Sequence, residues 1–65
     1  MESKETFQFL LGKHEAAAWE TIQDLEAIPR IVRRNGIPLV VTRDYNPNRI
    51  NLEIESNIVV KVHKG

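Results

Sequence analysis

From Glu15 to Glu26 the apolar residues recur at helical spacing: Ala18, Ile22 and Leu25 stand at i, i+4 and i+7, in a run without internal proline or glycine. These three share a face that can lie on a sheet. Glu15 falls in the first turn, where a carboxylate suits the positive end of the helix dipole. His14 is not a favoured N-cap residue, and Pro29 is expected to end the segment, because the residue before a proline is biased away from helical angles. Trp19 follows Ala18 directly and so belongs at the edge of the apolar face, roofing part of the core. Upstream, Phe7, Phe9, Leu10 and Leu11 form an apolar group that closes at Gly12 and covers one end of the core. Residues 1–6 are polar and charged and read as a flexible lead-in.

Beyond the helix the spacing changes. Ile31 and Val32 lie between arginines and predict a short strand over 30–34, with Asn35-Gly36 as a turn. Pro38 follows closely and keeps the chain from continuing as a ladder-bonded central strand. Leu39, Val40, Val41 and Thr42 favour extended angles, yet they lie between Pro38 and Pro47 without clean alternation, which predicts an extended segment held out of the sheet. After Pro47 the alternation is regular. Ile50, Leu52 and Ile54 form one face and Asn51, Glu53 and Glu55 the other, so a strand over 50–55 with one buried and one wet face is expected. Ser56-Asn57 makes a turn into an antiparallel strand from Ile58 to Val62, with Val60 and Val62 toward the core. A long crossing segment separates strand 30–34 from strand 50–55, so these two are expected to pair in parallel. The fold class is α+β, one helix packed on a small mixed sheet with an extended loop.

Composition narrows the chemistry more than it identifies it. Sixty-five residues make one small domain whose stability is marginal without a disulfide, a metal or a partner. There is no cysteine, which removes thiolate catalysis, cysteine zinc sites and disulfide scaffolds together. Nine basic and nine acidic side chains balance to a net charge of zero, a poor composition for a nucleic-acid binder, and the local cluster of Arg30, Arg33 and Arg34 is offset by Glu53 and Glu55. No run reaches the length of a membrane span, and the N-terminus lacks a signal-peptide pattern, leaving an intracellular protein or a mature secreted form. His14 and His63 stand apart from other ligand residues, so no metal or other cofactor is expected. No paired acid and base suggests an enzyme.

The stretch Thr42-Arg43-Asp44-Tyr45-Asn46-Pro47-Asn48-Arg49 is the remaining candidate for function, since it breaks an apolar run with charge and leads into a strand. Taken alone, Arg43 is a surface arginine and Asp44 to Pro47 an ordinary turn. In context, Leu11-Gly12-Lys13 before a short helix, the stretch from Val41 to Arg49, an alternating strand and a C-terminal strand together resemble the potato inhibitor I fold. The likeness is greatest to the peptidase inhibitor I78 group, whose loop pattern Asp-Tyr-Asn/Arg-Pro-x-Arg is met by Asp44, Tyr45, Asn46, Pro47 and Arg49. It covers about residues 10–65. Members of that group often carry a cysteine near each end, whereas Lys64 is the penultimate residue here. The wider fold often braces its loop with two arginines two residues apart; this chain has Arg49 and then Asn51.

The resemblance implies a serine protease inhibitor that acts by a substrate-like binding loop comprising Val41, Thr42, Arg43, Asp44, Tyr45 and Asn46. Its reactive bond would join Arg43 and Asp44, with Arg43 as the P1 residue and Arg49 and Asn51 as loop support. An arginine at P1 suits a trypsin-like protease, and a subtilisin-like protease is the other target class the fold implies. A non-inhibitory protein-interaction module of the same fold is the alternative.

Overall fold

The computed structural model describes residues 7–65; the flexible lead-in expected for residues 1–6 lies outside the described residues. One helix packs against a four-stranded mixed sheet. The helix α1 is Glu15–Asp24, and the strands are β1 (Ile28–Arg34), β2 (Ile37–Pro38), β3 (Arg49–Glu55) and β4 (Ile58–Lys64), preceded by a 3-10 turn at Gln8–Leu10. The sheet order is β2-β1-β3-β4, with β1 and β3 parallel and the other neighbours antiparallel. The parallel pairing expected from the long crossing segment is present. No helix among the described residues is long and apolar enough to cross a membrane.

The core lies between α1 and one face of the sheet. Leu10, Ala18, Ile22, Ile50, Leu52, Ile54, Val59 and Val62 are buried together, with Phe7, Ala27 and Ile31 packed at their margin. Each large aliphatic side chain removed from water contributes about 1.5–3 kcal/mol, which is the main term holding a domain of this size. The alternation of Ile50, Leu52 and Ile54 faces the core as the sequence predicts. Of the upstream apolar group only Leu10 is fully buried, while Phe9 and Leu11 are largely exposed.

Helix α1 begins and ends by devices the sequence conceals. His14 is the N-cap: its Nδ1 accepts a hydrogen bond from the Ala16 amide at 3.1 Å, so an imidazole takes the place of the usual hydroxyl or carboxylate. The Glu15 amide donates to the Asn57 carbonyl at 2.7 Å, which ties this helix end to the β3–β4 turn. The helix stops at Asp24, before the expected Glu26. Glu26 adopts φ 63°, its amide donates to the Gln23 carbonyl at 2.9 Å, and the Ala27 amide donates to Ile22 at 3.1 Å. Those two bonds form a Schellman motif. Pro29 therefore does not end the helix; it lies inside β1, and Leu25, expected on the buried face, is 53% exposed beyond the last turn.

The strands depart from expectation at two places. β1 starts at Ile28, earlier than position 30, because the Ile28 amide donates to the Asn48 carbonyl at 2.9 Å. Pro38 stays out of the sheet's interior as expected, since it ends the two-residue edge strand β2, where the missing amide costs no central ladder bond. β4 runs on to Lys64, and a bulge at Val60 sets Val59 opposite Ile54 while Val62 stays opposite Leu52. Val59 and Val62 consequently face the core, and Val60, expected inside, is 44% exposed. The turn at Ser56-Asn57 has φ 51° and 68°, the positive pair that a two-residue hairpin of right-handed twist requires.

Because Glu26 carries a side chain in a left-handed conformation, Glu26→Gly is expected to raise stability by about 0.5–1 kcal/mol, read as a higher urea midpoint with an unchanged slope. Ile22→Ala at the helix–sheet contact is expected to cost about 3 kcal/mol in the same titration.

Candidate functional site

The face of β3 opposite the core carries the site. Residues 39–46 form no strand with the sheet, and Leu39 to Tyr45 are exposed, with Val40 entirely so and Tyr45 at 71%. The segment crosses from the edge strand β2 to the start of β3, the return path that two parallel strands require. Its exit is fixed by a turn. The Asn48 amide donates to Asn46 Oδ1 at 2.9 Å, the Arg49 amide donates to the Asn46 carbonyl at 3.0 Å, and Asn48 Nδ2 donates to the Glu26 carbonyl at 3.0 Å.

Two arginines hold the middle of the loop. Arg49 Nη2 bonds Asp44 Oδ2 at 3.0 Å, and its Nη1 donates to the Asp44 carbonyl at 3.1 Å and to the Gly65 carbonyl at 3.4 Å. The Arg49 side chain is largely covered, whereas the Asp44 side chain is 62% exposed. Arg30, on β1, donates from Nη1 to the Thr42 hydroxyl at 3.1 Å and to the Thr42 carbonyl at 3.4 Å. Its Nε donates to Asn51 Oδ1 at 2.9 Å. Thr42 and Asp44 are thus each tied to the sheet. Arg43, between them, is exposed, and its guanidinium makes no hydrogen bond or ion pair among the described residues.

The Asp44 carboxyl is lowered from its ordinary 3.8 to about 2, by the Thr42 hydroxyl, by the Arg49 guanidinium and by its own backbone amide. It is ionised at neutral pH and poised to keep the loop in place. The other two arginines of β1 are occupied in scaffold roles. Arg34 makes a two-pronged pair with Glu15, both bonds at 2.7 Å, which lowers the Glu15 carboxyl through hydrogen bonding and clips the helix start to the sheet. Arg33 lies 3.7 Å from Glu53 and donates to the Gly36 carbonyl.

Val41 to Tyr45 are exposed and Asn46 is half-buried. Arg49 reaches Asp44 from behind. Asn51, expected on a wet face, is instead 3% exposed, with Arg30 bonded to its amide and Gly65 lying close to it. Among the described residues its side chain bonds to Arg30 and not to the loop itself. Arg30, in sequence only a member of a basic cluster, is a residue of the site. The signal for it was the parallel pairing of its strand with 50–55, which sets Arg30 directly beside Asn51. His14 and His63 are both exposed, and among the described residues no group of three or more His, Asp or Glu is placed to hold a metal ion.

No family model matches the chain. It is similar to an uncharacterized protein of Acanthamoeba polyphaga mimivirus, with 38% identity over 45 residues. That match takes in 66% of this chain and 14% of the viral protein, so the similarity is to a small part of a much longer chain.

The depressed Asp44 carboxyl sets a sign for the loop's response to acid. A group whose value falls on ordering contributes fully above its ordinary 3.8 and loses its contribution as pH drops through about 2. Backbone 15N relaxation at Thr42 to Asn46 is expected to be constant from neutral pH to about 4 and to show growing mobility toward pH 2. Asp44→Asn, which does not titrate, is expected to lack this step, separating it from protonation of Glu15 elsewhere.

Proposed function

We propose that the chain is a protein inhibitor of serine proteases, presenting Val41 to Asn46 as a substrate mimic with Arg43 at P1 and Arg43–Asp44 as the reactive bond. The observation that carries this reading is the contrast at the loop's centre: the residues on both sides of Arg43 are tied down by arginines, while Arg43 is exposed and makes no hydrogen bond or ion pair among the described residues. A protease cleft pairs with an extended backbone and takes its specificity from side-chain pockets. Arg43 would enter a pocket floored by a carboxylate, as in trypsin-like enzymes, where a buried guanidinium is paired and hydrogen-bonded.

Restraint of the loop distinguishes an inhibitor from a substrate. A segment already ordered loses little conformational entropy on docking, so more of the contact energy appears as affinity. When the protease nucleophile attacks the Arg43 carbonyl carbon, the Arg43–Asp44 bond breaks to an acyl-enzyme and an Asp44 amine protonated by the protease's general acid, while the Asp44 carboxylate and carbonyl stay bonded to the Arg49 guanidinium and hold that amine in place. It therefore lies near the acyl group, and re-forming the peptide bond competes with hydrolysis. Subtilisin-like enzymes, which lean less on a charged P1, are the second target class. The chain performs no catalysis of its own in this reading.

Titrating a trypsin-type protease with the protein is expected to abolish activity stoichiometrically and in competition with substrate. Arg43→Ala is expected to weaken inhibition of that enzyme by about 100-fold or more, with a smaller change against a subtilisin-type enzyme. Arg49→Ala is expected to turn the protein into a substrate cut after Arg43. Rapid cleavage of the wild type at that bond without loss of protease activity would reject inhibition and leave a non-inhibitory interaction module of the same fold.

A further inference from the structure

Among the charged side chains of β1, Arg30 differs in its partners. Arg33 and Arg34 face carboxylates, Glu53 and Glu15, whereas among the described residues Arg30 donates to neutral acceptors, Asn51 Oδ1 and Thr42. Asn51 is in turn the one polar side chain in the buried set of the described residues. The parallel register places the two residues directly opposite each other. With Nε engaged by Asn51, the guanidinium plane is fixed, and Nη1 is left aimed at Thr42. Among the described residues the Asn51 side chain makes no hydrogen bond to the loop, and Arg30 alone would be a long side chain free to swing into solvent.

We infer that Arg30 and Asn51 work as one divided brace whose task is to position Thr42, with Asn51 setting the direction of the Arg30 guanidinium. The consequence for inhibition rests on the proposed function, in which Thr42 is the residue before P1. A cut between Arg43 and Asp44 would leave Arg30 and Thr42 in one fragment and Asp44, Arg49 and Asn51 in the other. Arg30–Thr42 and Arg49–Asp44 are then contacts within fragments. Two polar links cross between them beside the cut, the Thr42 hydroxyl at the Asp44 carboxylate and the Arg30–Asn51 bond, and they add to the β1–β3 ladder beneath. The second joins strand to strand and would keep the acyl end registered against the amine end while the bond re-forms.

The full chain provides the test, through backbone 15N order parameters at Val41 to Tyr45 measured by NMR. Arg30→Ala and Asn51→Ala are each expected to lower them there from about 0.85 to below about 0.6, the values of a rigid and of a flexible backbone. The double variant is expected to be no more mobile than either single one, because the two act as a unit. Arg30→Ala combined with Asn51→Arg, which returns a guanidinium from β3, is expected to restore order. Thr42→Val, which also removes the hydroxyl that bears on Asp44, is expected to lower the order parameters at least as far as Arg30→Ala even if Asn51 variants unfold. Unchanged order parameters in Arg30→Ala, or additive effects in the double variant, would overturn the brace. With a trypsin-type protease, Arg30→Ala is also expected to shift the final ratio of cut to intact protein about tenfold toward cut. A wild type that inhibits neither trypsin- nor subtilisin-type enzymes, together with a more mobile loop in Arg30→Ala, would reject the inhibitory reading and uphold the brace.

Discussion

Parallel pairing of β1 with β3 at the centre of the sheet is the constraint from which the rest follows. Two parallel neighbours cannot be joined by a tight turn, so the chain must leave the end of β1 and travel back to the level where β1 began. In larger proteins a helix makes this return. Here the helix precedes β1, and the return is made by the edge strand β2 and the loop that ends at Asn46. The loop has no ladder of its own and must be held by side chains. The same parallel register supplies them, since it brings Ile28 opposite Arg49 and Arg30 opposite Asn51, at the end of the sheet the loop crosses.

The period of two along β3 divides the labour of the fold. Ile50, Leu52 and Ile54 point to the helix and are buried, while Arg49 and Asn51 lie on the other face, where Arg49 bonds the loop and Asn51 bonds Arg30. Each face uses a different kind of interaction. The core face relies on removal of aliphatic surface from water, which is non-directional. The loop face relies on hydrogen bonds from two guanidinium groups, which are directional and therefore fix where Thr42 and Asp44 lie relative to the sheet.

Much of this was legible in the sequence where it depends on local pattern. The alternation in 50–55, the turn at Ser56-Asn57, the body of the helix and the parallel pairing of the two inner strands could all be read from spacing and connection length. What escaped depends on register or on unusual residues in special conformations. Glu26 ends the helix with φ 63°, a place where glycine would have announced the stop, so Pro29 drew the boundary instead. The bulge at Val60 moves the core position from Val60 to Val59, and nothing in the run Ile58 to Val62 marks which residue is extra. Asn51 reads as wet because alternation reports the pleat alone, and the Arg30 and Gly65 that pack on the outer face leave no trace in that period. Arg30 was hidden for the same reason: its role exists only once β1, β3 and the loop are assembled.

Placing the loop's support outside the core has a further consequence for how such a small domain can vary. A chain without cysteines has little stability to spare, and any change to Ile22 or Leu52 acts on the whole fold. Thr42, Arg43 and Asp44 are different, since none of them takes part in the buried cluster. Arg43 can therefore change without disturbing either face of β3, and the identity of the presented side chain is decoupled from the apparatus that presents it. Arg30 and Arg49 lie between these extremes. They are anchored in strands yet directed at the loop, so they set its shape while the aliphatic contacts beneath set whether there is a sheet to anchor them.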